Sequence, residues 1–136
     1  LLQKGVDHVI GSHPHVVQPI EVRTDSLTND KHLVVYSLGN YISNMSARRT
    51  GGGLMVRMEL VKDSTVRLNN CDYSLVWTAR PIQSGKKNHQ LLPVNLPIDS
   101  IPLQARNSLK IFTNDARTLF NKHNQGIKEY TFFEKK

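Results

Sequence analysis

Two histidines one residue apart, His13 and His15, follow the apolar pair Val9-Ile10 in the run Gly11-Ser12-His13-Pro14-His15. Neutral imidazole is the commonest protein ligand for zinc and suits iron and other first-row metals. Alternate residues of an extended chain share a face. Pro14 fixes its own φ and biases His13 toward an extended backbone. A helix would splay the pair, because residues two apart do not face each other. The spacing therefore predicts half of a site for a divalent transition metal. It does not predict a whole one, since catalytic zinc needs three protein ligands or more and binuclear hydrolases need carboxylates as well.

The remaining histidines do not complete the centre. His8 lies on the strand that leads in, an odd number of residues from His13, and reads as structural. His32, His89 and His123 fall in polar or terminal contexts and read as solvated. Other known His-x-His arrangements fit poorly. A metallo-β-lactamase pattern wants Asp-x-His shortly after the pair, where this chain has Val16-Val17-Gln18. An amidohydrolase pair opens a (β/α)₈ barrel of about 250 residues, and this chain has 136. A cupin would need further ligands on the following strands, with Glu21 the near candidate.

The elements that must position the pair are short. Residues 6–10 read as a buried strand entering the histidines. Residues 16–23 look extended but carry Pro19, which marks an edge strand or an irregular crossing. Leu33-Val34-Val35-Tyr36 is a second apolar run, ending at Ser37-Leu38-Gly39-Asn40. Residues 43–53 are polar, small and Gly-rich, which predicts a mobile loop. From Leu54 the chain alternates, with Leu54, Val56, Met58 and Leu60 on one face of a half-buried strand. Lys62-Asp63-Ser64 predicts a turn, and residues 65–68 a hairpin partner. Tyr73, Leu75, Trp77 and Ala79 alternate again as a third strand of a meander. Residues 83–90 read as a polar loop, and residues 91–94 as a short final edge strand.

The period then changes. Ala105, Leu109, Phe112, Ala116, Leu119 and Phe120 fall at helical spacing. Ser100 is the expected N-cap, with Pro102 in the first turn, Lys122 and His123 in the last, and Gly126 beyond. The sum is an antiparallel sheet of about five strands plus one long helix, an α/β or α+β layer arrangement.

Composition bounds the function classes. A hydrophobic fraction of 38% with 21% charged residues belongs to a folded chain. The one cysteine, Cys71, excludes an internal disulfide and a Cys-rich metal site, and reads as a small buried residue rather than a nucleophile. No stretch approaches the ~20 apolar residues of a transmembrane helix. The net charge is +7, which favours polyanionic partners. The basic residues are scattered, however, with only Arg48-Arg49, Lys86-Lys87 and Lys135-Lys136 adjacent. No basic run marks a nucleic-acid arm. The chain opens on Leu1, and Leu1-Leu2-Gln3-Lys4-Gly5 reads as a helix end capped by Gly5. That beginning is the expectation of a C-terminal piece of a longer protein.

The run Gly5-Val6-Asp7-His8-Val9-Ile10-Gly11-Ser12-His13-Pro14-His15-Val16-Val17-Gln18-Pro19-Ile20-Glu21 resembles the C-terminal signature of the bacterial capsule synthesis (poly-γ-glutamate, CapA-type) proteins. Tyr36-Ser37-Leu38-Gly39-Asn40-Tyr41-Ile42 resembles their second signature, in which Phe usually stands at the place of Tyr41. Gly52-Gly53-Leu54-Met55-Val56 looks like the strand that follows, and the resemblance covers residues 5–60. The family is similar to calcineurin-like metallophosphoesterases. That resemblance implies the C-terminal part of a four-layer α/β/β/α sandwich, with a mixed or antiparallel sheet and a long C-terminal helix. It divides the chain into residues 1–98, the C-terminal half of the metallophosphatase-like domain, and residues 99–136, the helix and tail.

The resemblance also implies a binuclear centre of divalent transition metals (Mn, Fe or Zn) in the full-length protein. His13 and His15 would be two of its ligands, with Ser12 intervening after Gly11, and the remaining ligands would lie upstream. Asn40 is expected in the pocket or as a turn residue, and Arg48 and Arg49 are expected to bind substrate carboxylates or phosphates. No catalytic residue is assigned, and the 136 residues alone are expected to be inactive. The implied setting is the cell envelope. The implied partners are an anionic polymer or its precursor, other capsule synthesis proteins at the membrane, and a second copy through exposed sheet. Two functions compete: a metal-dependent hydrolase of phosphoesters or amides, and a non-catalytic scaffold that binds or exports the polymer.

Overall fold

The structure, a computed structural model, describes residues 1–132, with the backbone alone at 82, 83 and 87. The Lys135-Lys136 pair lies outside the described residues. A 3-10 turn over Leu2–Lys4 ends at Gly5, which adopts φ +81° as the helix-end reading requires. Strand β1 (Val9–Ile10) then pairs in parallel with β3 (Lys31–Val35), and β2 (Ile20–Thr24) pairs antiparallel along the other side of β3. Pro19 stands just outside β2, at the edge of the sheet, and the outer side of β2 carries an isolated parallel bridge in which Val22 N donates to Gln125 O at 2.9 Å and Gln125 N to Ile20 O at 3.0 Å.

A second sheet is built on the long hairpin of β4 (Gly52–Lys62) and β5 (Val66–Ala79). After the small hairpin of β6 (Ile82–Gln83) and β7 (Lys86–Lys87), β8 (Gln90–Pro93) joins β5 antiparallel. Helix α1 (Leu103–His123) follows, and β9 (Lys128–Glu129) pairs in parallel beside Asp72 and Tyr73. The fold is therefore α/β, with two mixed sheets and one long helix, where the periodicity predicts a single antiparallel sheet.

Three local expectations change. Residues 66–79 form one strand of 14 residues instead of two strands of a meander. Nothing between them breaks the chain: Asn69 and Asn70 sit on the exposed side, and Asn69 Nδ2 donates to Glu59 Oε2 at 2.9 Å. A register shift at Glu59/Leu60 absorbs the mismatch. Leu60 lies just past it and ends 51% exposed, so the apolar face of β4 stops at Met58. At the helix, Ser100 belongs to a separate 3-10 turn and caps nothing; Pro102 is the N-cap residue, without a side-chain bond.

One apolar core joins both sheets and the helix. Ile20, Leu33 and Val35 from the first sheet meet Leu54, Leu75 and Trp77 from the second and Leu109, Phe112, Ala116 and Phe120 from α1. Fully burying such a side chain stabilises the fold by roughly 1.5–3 kcal/mol. The two sheets are stitched where Leu54 N donates to Leu38 O at 2.8 Å and Asn40 N donates to Gly52 O at 3.0 Å. Gly53 permits this approach: a Cβ there would lie 2.7 Å from Leu38 O and 2.8 Å from Asn40 O.

Candidate functional site

The histidine loop leaves β1 at Gly11 and returns toward β2. It is a turn, and the extended backbone expected from Pro14 is absent. His15 N donates to Ser12 O at 3.2 Å, and His15 itself adopts φ +71°. Left-handed backbone is uncommon outside glycine, although histidine is among the residues enriched there. The rings still meet, with centroids 5.5 Å apart in an edge-to-face arrangement. What brings them together is the reversal of the chain and not the alternation of a strand. Both side chains are exposed.

Asn40 supports the loop from behind. Its Oδ1 lies 2.9 Å from His15 Nδ1, and its Nδ2 donates to the Thr50 carbonyl at 3.2 Å. A carbonyl can only accept, so the amide is oriented with Nδ2 toward Thr50 and Oδ1 toward the imidazole. Oδ1 in turn can only accept, so the proton of neutral His15 sits on Nδ1. The lone pair is thus left on Nε2, the arrangement that outer-shell partners impose on metal-ligating histidines. Asn40 is 6% exposed and Thr50 4%; the exposed ring is held by a buried amide.

The other histidines are engaged elsewhere. His8 Nδ1 accepts the Leu33 N–H at 3.1 Å, in keeping with a structural role. Burial pushes its pKa down, opposed by Asp7 and aided by His32. His32 and His89, expected in solvent, are half-buried: His32 Nδ1 bonds the Asp7 carbonyl at 2.9 Å, and His89 Nε2 lies 3.3 Å from the Ser43 carbonyl. His123 is exposed. Among the described residues no cluster of three or more His, Cys, Asp or Glu side chains could hold a metal ion. Among the described residues, the two imidazoles have no third such side chain beside them to complete a coordination set.

Arg48 and Arg49 lie on the loop between Asn40 and β4, and both grip Asp115 of α1. Arg48 donates from Nε and Nη2 at 2.9 and 3.0 Å, and Arg49 from Nε at 3.3 Å. The Arg48 bond is the main reason that the Asp115 carboxyl is held below its ordinary pKa, with Arg49 assisting against burial. The sequence reading missed Asp115 and Thr50. Each lies far along the chain from at least one partner, and no local pattern marks either of them.

The two runs that carry this geometry also carry the likeness to known proteins. Residues 1–45 match the family described as bacterial capsule synthesis protein PGA_cap. A stretch of 63 residues is 36% identical to the PGA biosynthesis protein CapA of Bacillus subtilis (strain 168). The chain is thus similar to bacterial capsule synthesis proteins over its N-terminal part. The stretch shared with CapA is 46% of this chain and 15% of that protein's length, so the chain spans a small part of its relative. No solved structure matches. The capsule synthesis match takes in His13, His15 and Asn40, whereas Arg48, Arg49 and Asp115 lie beyond its last residue, 45.

Proposed function

We propose that this chain supplies two ligands, His13 and His15, to a divalent-metal centre in a capsule or poly-γ-glutamate biosynthesis protein of the cell envelope. On this reading the whole protein is a metal-dependent hydrolase of phosphoesters or amides, built as a four-layer sandwich of which the present sheets and helix are the C-terminal part. The observation that carries it is the Asn40–His15 bond, which leaves Nε2 of an exposed histidine as a free donor. Two nitrogen donors suit Mn, Fe or Zn, and further ligands from the rest of the protein must complete the set. When bound, a metal pair supplies an acidified bridging water and polarises a phosphoryl or carbonyl oxygen. The chain's own part is positional. Asn40 holds the His15 proton on Nδ1, and the turn at Ser12 sets the two rings side by side.

Metal content of the intact protein, purified without chelators, tests this by elemental mass spectrometry. Two transition-metal equivalents are expected, lost in the doubly substituted His13→Ala, His15→Ala protein while its circular dichroism is kept. Unchanged metal in that variant rules out the ligand assignment. A second reading, a non-catalytic scaffold that binds or exports an anionic polymer, is favoured by the +7 charge and by the exposed arginine pair. Metal-independent, salt-sensitive binding of polyglutamate by a protein that contains no metal would select it.

A further inference from the structure

Three guanidinium groups gather where the 43–51 loop, the end of β5 and α1 meet. A cavity of about 630 Å³ lies there, with Met45, Arg48, Arg49, Trp77, Arg80 and Ser108 in its wall. Arg80 Nη2 donates to the Met45 carbonyl, but its Nε is buried with no hydrogen-bond partner. An unpaired buried donor is costly, more so when charged, and marks a place for an acceptor. Arg48 shows what acceptor fits the neighbouring fork, because it already holds a carboxylate, Asp115, by both oxygens. That pair is weakly held. The Arg48 and Arg49 side chains are 71% and 63% exposed, and exposed ion pairs contribute little to stability. A second cavity, about 360 Å³, shares Arg49 and Phe112 with the first and runs past Asp115 to Lys122. Cations therefore stand on both sides of one carboxylate, against an apolar wall of Trp77 and Phe112 that suits methylene groups.

We propose that the cavity is a carboxylate-binding subsite for a short stretch of an anionic polymer, and that Asp115 holds Arg48 in place of a ligand carboxylate until one arrives. The ligand class rests on the anion-binding reading above, and nothing in the subsite depends on the histidines holding metal. Arg80 is the residue with a bond to gain; Arg48 is the residue that changes partner. Only side chains need to move, because the Arg48 guanidinium already lies in solvent.

The test is a calorimetric titration of the protein with tri-γ-glutamate, and in parallel with inorganic phosphate and with an uncharged tripeptide. Trp77, the one tryptophan of the chain, gives a second readout by fluorescence. The expected result is saturable binding of tri-γ-glutamate that is weakened by salt, tightened about five-fold in Asp115→Asn and weakened about ten-fold in Arg80→Gln. The His13→Ala, His15→Ala protein should bind it unchanged, which separates this subsite from the metal centre. Equal binding of phosphate identifies a general oxyanion site and overturns the polymer assignment. Weaker or unchanged binding in Asp115→Asn overturns the stand-in role, and no saturable binding by the folded protein overturns the subsite.

Discussion

Gly11 and Tyr36 approach so closely that a Cβ on the glycine would lie 2.5 Å from the tyrosine's carbonyl oxygen. Around that contact the two family signatures interlock. Gly11 N donates to Val35 O and Leu38 N to Gly11 O, both at 2.8 Å, and Gln18 N donates to Ser37 O at 3.1 Å. The histidine loop thus hangs on the end of β3 by backbone bonds, and its entry point has no room for a side chain. Gly11→Ala is expected to destabilise the protein by about 1–3 kcal/mol, read as a lowered midpoint in denaturant unfolding. A midpoint equal to that of the parent protein would mean that the loop sits further from β3.

Asn40 joins the same two segments through side chains. Replacing it with Ala leaves the Thr50 carbonyl without its donor and releases the His15 ring to either tautomer. If His15 ligates metal, Asn40→Ala should lower metal affinity about 10- to 100-fold, the range seen when outer-shell partners are removed. Competition with a chelator of known affinity measures this on the intact protein. The effect should be smaller than that of His15→Ala, since the nitrogen donor survives. An affinity equal to the parent's would show that the amide does not orient the ligand.

His8 sets an acid limit on stability. Its Nδ1 accepts the Leu33 N–H, and burial lowers its pKa from the ordinary 6.5. The folded state therefore binds fewer protons than the unfolded state around that pH. The stabilisation is complete above 6.5 and is lost as pH falls through it toward the folded-state value. Thermal melts at pH 7 and pH 5 should show a lower Tm at the acid end. His8→Asn keeps an acceptor for Leu33 but cannot titrate, so its acid-side drop should shrink. An identical drop in both proteins would place the titrating group elsewhere.

Much of this molecule is legible along the chain. The alternation through Leu54, Val56 and Met58, the helical spacing from Leu109 to Phe120, the cap at Gly5 and, one residue earlier than read, the short strand expected over 91–94 all appear in the structure. Where the reading departs from the fold, a longer-range force is at work. Residues 65–68 and the alternation from Tyr73 to Ala79 read as separate strands, yet pairing with β4 across the register shift makes Val66–Ala79 one strand. Ser100 looks like a cap, yet it turns with Ile98 and Asp99, and the helix starts after Pro102.

Most of the elements and the two signature runs can be read along the chain, because side-chain periodicity and turn chemistry act over a few residues. The sequence also placed two imidazoles close together, although for a reason that the φ +71° of His15 replaces. What those residues touch is set by the folding of distant segments onto each other. The Asn40–His15 bond spans 25 residues and the Arg48–Asp115 bond 67. Partners so far apart meet only once both sheets and the helix have closed on one core, and no local pattern specifies which polar groups that closure brings together.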